Sequence, residues 1–267
     1  IDNWKRNVLA EDQAMASQAS QQYVPEPMPE PDARAVSWQG TNEWFGQDKE
    51  MTSFAYGVHE KLVEIVNKHI AHPSQKPIQA HTQQAFDEIN EIVQAFSGEV
   101  ILDSCCGVGQ STRLIAKQNP DALVIGVDKS AHRINRNVDE VKLDNGEGTV
   151  NNFHLVRADL NDFYRLVVAA NWPVTQHYIL YPNPWPKAKH VQRRWHGSAV
   201  FPQIVAIGQE IILRSNWLLY LEEFQVAAGI LNFQGTISTI NVTQPLTPFE
   251  AKFHASGQQC WQLHISK

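Results

Sequence analysis

Val100-Ile101-Leu102-Asp103-Ser104-Cys105-Cys106-Gly107-Val108-Gly109-Gln110-Ser111-Thr112 is the stretch from which the fold is read. The apolar residues 100–102 have the length of a short buried strand. An acid and two glycines follow, and a helical pattern then runs from 111 to 119, where Pro120 stops it. A strand that turns through glycines into a helix is the opening unit of a parallel α/β sheet. The rhythm repeats downstream. Strands are expected over 123–127 and 153–156, helices from 130 to about 143 and over 160–170, and a fourth strand over 177–181. A helix over 201–213, a fifth strand over 217–221 and a helix over 223–232 come next. Two β-rich segments, 236–242 and 260–265, close the chain, joined by a long loop with no helix. The expected fold is α/β, a doubly wound Rossmann-like sheet of seven strands with an antiparallel C-terminal strand. Upstream, residues 59–70 and the segment carrying Phe86, Ile89, Ile92, Val93 and Phe96 read as two amphipathic helices.

Three acids mark one edge of that sheet. Asp103 follows the first strand, Asp128 ends the second, and Asp159 follows the third. All three fall at the carboxyl ends of parallel strands, where ligands bind in open α/β sheets. Gly107 and Gly109 let the backbone approach a ligand closely, and the helix after them offers free N–H groups. A dinucleotide would favour a third glycine where Thr112 stands, and a nucleoside triphosphate would require a Gly-Lys-Ser/Thr loop, which is absent. An acid opening the loop would repel phosphate but suits an ammonium. S-adenosylmethionine has that ammonium, a ribose for Asp128 and an adenine for the region of Asp159, and it lacks phosphate. The sheet is then expected to be that of a class I methyltransferase. Asp103, Cys105, Gly107, Gly109, Asp128, Lys129, Ala158 and Asp159 are the expected cofactor-binding residues. Cys105 and Cys106 read as small residues filling a tight turn.

A second motif adds a partner. Tyr181-Pro182-Asn183-Pro184-Trp185-Pro186 leads into Lys187, Lys189, His190, Arg193 and Arg194, while no acid occurs from Phe163 to Gln209. Prolines hold such a corner in shape, and a cation cluster on an acidic chain suits an anionic partner. From about residue 99 onward the chain resembles the bacterial tRNA (guanine-N7) methyltransferases. The resemblance rests on Pro182-Asn183-Pro184-Trp185-Pro186-Lys187-Ala188-Lys189-His190 with Arg193-Arg194, close to that family's Pro-Asp-Pro-Trp-x-Lys-x-x-His-x-x-Arg-Arg. It rests also on Thr247-Pro248-Phe249-Glu250, matching its Thr-x-x-Glu signature. The resemblance implies methylation of guanine 46 of tRNA, with Asn183 and Glu250 as catalytic residues and Asn183 also against the cofactor. It implies that Lys187, His190, Arg193, Arg194, Glu222, Thr247 and Glu250 bind the substrate. Guanine N7 carries a free lone pair, so no base is needed, and a carboxylate such as Glu250 would stabilise the cationic product and could read the guanine edge. The chain departs from the family pattern at Asn183, where the family has aspartate, and at Glu222, which stands for the aspartate after the fifth strand. An acidic arm also replaces the family's basic one.

The 267 residues carry a net charge of −6. Residues 1–50 hold nine acids against four bases, so −5 of that charge lies in a Gln- and Pro-rich segment. Residues 1–57 therefore read as an arm and 58–267 as the catalytic domain with two N-terminal helices. No apolar run is long enough to span a bilayer and no secretory signal opens the chain, so a cytoplasmic protein is expected. Three cysteines and unclustered histidines give no metal spacing. A monomer or a homodimer is expected. Two other readings stand beside the tRNA enzyme: a methyltransferase of the same fold with a small-molecule or protein acceptor, and a noncatalytic RNA-binding relative.

Overall fold

The structure is a computed structural model that describes residues 49–141, 151–241 and 243–267. Of the expected arm, residues 1–48 lie outside the described residues, as does the turn at 144–148, while residues 49–57 open the first described helix. The chain forms α1 (Lys49–Ala71), α2 (Ala80–Ala95), β1 (Val100–Ser104), α3 (Gln110–Gln118), β2 (Leu123–Asp128) and α4 (Ala131–Val141). It continues through β3 (Phe153–Arg157), α5 (Leu160–Ala169), β4 (Val174–Leu180) and two short 3₁₀ turns, Ala188–Arg193 and Trp195–Gly197. Then follow α6 (Phe201–Ala206), β5 (Glu210–Ser215), α7 (Leu218–Ile230), β6 (Gly235–Ile240), α8 (Pro248–Ala255) and β7 (Cys260–Ser266).

The seven strands lie in the order β3-β2-β1-β4-β5-β7-β6. Strands β1 to β5 are mutually parallel, and β7 runs antiparallel to both β5 and β6. All residues of β1 and β2 are buried, as both faces of a central parallel strand must be when helices cover them. An aromatic cluster secures α2 to α5: Phe86 stacks on Trp172 at 5.3 Å and Phe163 meets both edge-on, at 5.4 and 5.6 Å. The Trp172 indole N–H donates to Asn90 at 2.8 Å, so its one polar atom is satisfied. Among the described residues no helix is long and apolar enough to cross a membrane.

The seven-strand α/β sheet with an antiparallel C-terminal strand agrees with the sequence reading; three details differ. The helix expected over 201–213 ends at Ala206, and Gly208, at φ +78°, turns the chain into β5. The fifth strand therefore lies at Glu210–Ser215, and the stretch 217–221 opens α7. That helix is buried on much of its surface by Tyr220, Leu221, Phe224, Ala227 and Ala228, so its apolar residues carry no clean helical period. Between β6 and β7 stands α8, where a loop was expected. It starts at Thr247, whose hydroxyl accepts from the Glu250 N–H at 3.0 Å, an N-cap.

One glycine in β2 governs how closely α3 can approach the sheet. A Cβ on Gly126 would stand 2.3 Å from the Thr112 hydroxyl and 2.7 Å from Leu155. Gly126→Ala is expected to cost about 1–3 kcal/mol of folding stability by overpacking, measured by urea denaturation.

Candidate active site

The first three strands deliver their carboxyl ends to one edge, where Asp103 lies near the end of β1, Asp128 ends β2 and Asp159 follows β3. Asp103 is fully buried; one carboxylate oxygen accepts from Ser111 at 2.6 Å and Thr112 at 2.7 Å, both in the first turn of α3. Its other oxygen has no hydrogen-bond partner among the described residues. Burial pushes Asp103 up to about 6, against the hydroxyl bonds that pull it down, with Asp128 adding to the rise. Cys105 and Gly107 both turn through positive φ, 62° and 63°, and Gly109 caps α3 at 78°. Nothing lies within 4 Å of where a Gly107 Cβ would point, so the turn leaves the backbone open to a ligand. Burial first, then Asp128 and Asp103, carry the Cys105 thiol up to about 12, so it fills space as a neutral group.

Asp128 accepts from the Gly107 N–H at 3.1 Å and the Ser130 N–H at 2.7 Å, with Arg133 at 3.6 Å. Each oxygen keeps a lone pair for a hydroxyl. Asp159 caps α5 through Asn161, at 3.0 Å from both its backbone and its side-chain nitrogen, and meets the Lys129 ammonium at 2.9 Å. Burial raises its pKa, but Lys129 and Asn161 outweigh that and hold it below the ordinary value. Ala158 is fully buried and donates its N–H to the Asp128 carbonyl at 3.2 Å, so β3 closes against β2 here. An unpaired buried carboxylate oxygen, a glycine turn with open space and a second acid with spare lone pairs fit an ammonium, an amino-acid backbone and a ribose. The donor set fits S-adenosylmethionine.

The cationic loop follows β4. Tyr181 and Trp185 take positive φ, 50° and 44°, a costly conformation for aromatic residues that clusters at functional sites. Asn183 is exposed, and its side-chain oxygen accepts from the Trp185 N–H at 3.3 Å. Lys187, Lys189 and Arg193 are exposed, with Arg193 stacked over Trp185 at 4.8 Å and His190 against that ring's edge at 5.5 Å. Desolvation, then the charges of Arg193, Lys189 and Lys187, depress the His190 imidazole below its usual value.

Three expected substrate residues sit elsewhere. Arg194 is buried: it pairs with Glu223 and donates to the Trp185 carbonyl at 3.2 and 3.1 Å and to that of Pro186 at 3.3 Å. It braces the loop from beneath and is not a surface cation. Glu222 lies inside α7, half-buried, and burial with neighbouring Glu223 raises its pKa. The residue that follows β5 is Asn216, because the strand ends at Ser215. Glu250 is fully buried; it accepts from Tyr181 at 2.9 Å, Arg214 at 3.0 Å and the Leu246 N–H at 2.6 Å. With Thr247 as its cap partner, it anchors the start of the loop and has no exposed edge with which to read a base. Tyr181, Arg214, Glu223 and His196 were missed because their roles depend on contacts between distant segments. Thr247-Pro248-Phe249-Glu250, taken in the sequence as a family signature within a loop, carries the local spacing of a helix cap that could have revealed α8.

The strand order, the glycine turn and the acids after β1, β2 and β3 define a methyltransferase of the Rossmann-like class. The chain belongs to the methyltransferase family whose model, described as "Putative methyltransferase", matches residues 97–263. It is similar to the tRNA (guanine-N(7)-)-methyltransferase of Aquifex aeolicus, 28% identical over 165 residues, which cover 60% of this chain and 54% of that protein. The protein of the same name from Pasteurella multocida is 27% identical over 200 residues, covering 70% of this chain and 74% of its own length. The chain thus spans about half the length of the first relative and about three quarters of the second. Among solved structures, the 16S rRNA (adenine(1408)-N(1))-methyltransferase of Catenulisporales acidiphilia, bound to its cosubstrate, aligns with a TM-score of 0.50 at 14% identity. That alignment covers 68% of this chain and 90% of the other. The 16S rRNA methyltransferase KamB gives 0.50 at 15% identity, covering 68% and 94%. At such identities the likeness is one of fold.

Because burial raises Asp103 above its unfolded value, it favours the ligand-free fold at low pH, and that contribution is lost as pH rises through about 6. Cofactor binding should respond oppositely. Protonation below about 6 removes the charge that meets an ammonium, so calorimetric affinity for S-adenosylmethionine is expected to fall by up to about tenfold per pH unit below that value. Asp103→Asn should keep the fold, abolish this dependence and bind at least about tenfold more weakly, the equivalent of one pKa unit.

Proposed function

We propose that the protein transfers the methyl group of S-adenosylmethionine to N7 of a guanine in tRNA, with guanine 46 as the position. The carrying observation is the cation loop at the end of β4, held in shape from below and presenting Lys187, Lys189 and Arg193 beside the cofactor edge. The names of the relatives support the same acceptor.

When bound, S-adenosylmethionine supplies an electrophilic methyl on a sulfonium. The chain's task is therefore to position the two partners and manage charge. Asp103 would hold the ammonium through its unpaired oxygen, Asp128 would take the ribose hydroxyls, and the backbone of Cys105 to Gly109 would accommodate the amino-acid portion. Asn183 stands at the carboxyl end of β4 and orients the acceptor through its amide; its oxygen is already shared with the Trp185 N–H. Lys187, Lys189 and Arg193 neutralise phosphates and set the register of the RNA. Transfer would use the acceptor's own N7 lone pair and would leave the positive charge on the purine, so this chain's residues are needed to position the partners and balance charge. No residue need accept a proton. Holding N7 in line with the methyl supplies most of the rate.

Asn183 favours a second reading, a methyltransferase of the same fold with another acceptor. A neutral amide stands where the resembling family carries an aspartate, which lowers the stabilisation of a cationic product. The deciding experiment is labelled methyl transfer from the cofactor into bulk tRNA, with recovery of the modified base. Label in 7-methylguanosine supports the first reading, and its absence alongside normal cofactor binding supports the second. Asn183→Asp is expected to raise turnover on tRNA severalfold; equal or lower turnover with unchanged cofactor affinity removes the charge argument. Replacing Lys187, Lys189 and Arg193 with alanine should reduce the slope of log affinity for tRNA against log salt by about 2–3.

A further inference from the structure

The cation loop is held by a buried ionic unit whose other half sits on α7. Glu223 lies on that helix, buried, and one of its carboxylate oxygens takes both Arg194 and the His196 ring nitrogen, the latter at 3.0 Å. Arg194 makes three further bonds, two to the carbonyl of Trp185 and one to that of Pro186. Its guanidinium plane also lies over the Trp217 ring at 5.1 Å, just beyond the end of β5. A buried arginine that donates to two consecutive loop carbonyls fixes the loop's height above the sheet. The carboxylate opposite makes that arrangement affordable, because an unpaired buried guanidinium costs several kcal/mol. Neither Glu223 nor His196 reaches the loop surface, so neither can touch an acceptor. Among the loop's exposed residues, Asn183 stands two before Trp185 and Lys187 one after Pro186.

We infer that Glu223 is a positioning residue for the acceptor. Acting through Arg194, it holds the loop in its binding geometry before RNA arrives, so that the ordering cost is met in folding and not in binding. The kinetic part of this inference rests on tRNA as acceptor; the structural part does not.

Removing one partner alone would leave a buried charge, and Glu223→Gln could simply unfold the protein. The informative variant is therefore Arg194→Met with Glu223→Met, which replaces the buried pair by apolar side chains, a change that proteins often tolerate without loss of stability. Two measurements on the full chain, wild type and double variant, test the inference. The first is hydrogen exchange of the free protein. The amides of residues 185–194 are expected to exchange at least tenfold faster in the variant, while those of β1 and β2 keep their protection. The second is steady-state kinetics at saturating cofactor, where KM for tRNA is expected to rise at least tenfold with kcat reduced less than threefold. Unchanged loop exchange in a folded double variant overturns the inference, as does a loss confined to kcat. If wild type transfers no methyl to tRNA but the loop exchange still accelerates in the variant, the acceptor reading fails while the positioning role stands.

Discussion

Parallel strands all end at the same edge, and that constraint organises the rest of the molecule. Each strand from β1 to β4 releases its chain there, into a turn that must satisfy free backbone donors and carry a helix or loop back over the sheet. In this protein those turns are closed by carboxylates. Asp103 gathers the first-turn hydroxyls of α3, Asp128 gathers backbone N–H groups from two loops, and Asp159 caps α5. The groups that complete the fold at this edge are therefore the same groups that can receive a positively charged, hydroxyl-bearing ligand. Asp103 shows the tension most clearly. It lies buried with one oxygen unpaired, an arrangement unfavourable for the ligand-free fold and suited to an ammonium.

The cationic loop after β4 is built on a different plan. Its cations sit on a loop of 3₁₀ turns and prolines with no regular ladder of its own. Its shape comes from two buried carboxylates on opposite flanks. Glu250 of α8 takes the Tyr181 hydroxyl where the loop begins, and Glu223 of α7 takes Arg194 where it ends. Each carboxylate is paired and hydrogen-bonded, which is how a buried charge becomes tolerable. Two positive-φ aromatic residues, Tyr181 and Trp185, persist between these anchors because the surroundings over-determine them. A loop fixed in this way can present Lys187, Lys189 and Arg193 to a polyanion without first having to be ordered.

The two sides differ in how far they could be read in advance. The positions of the acids were legible almost residue by residue, since a short apolar strand, an acid and a glycine turn are local features, and their repetition placed Asp103, Asp128 and Asp159 at one edge of the sheet. The loop was legible as a cation cluster, but the partition within it was not. Arg193 and Arg194 are neighbours of identical type, and one is exposed and stacks on the half-buried Trp185 while the other is buried against α7. The misplacement of β5 has a related cause. The residues around 201–221 are apolar in both helix and strand, with no period to separate them, and only Gly208 and the pairing of Glu210–Ser215 with β4 and β7 fix the boundary.

By itself the sequence determined the alternation of strands and helices, the acids at the strand ends and the sign of the acceptor loop, because each depends on residues within a few positions of one another. Only the tertiary structure decided which charges face outward. Glu250 and Arg194 look like binding residues in a one-dimensional pattern, yet both are buried, because their partners lie on β5 and α7, about 30 residues away. Whether a charge is available to a ligand depends on what else can reach it, and sequence neighbours carry no record of that.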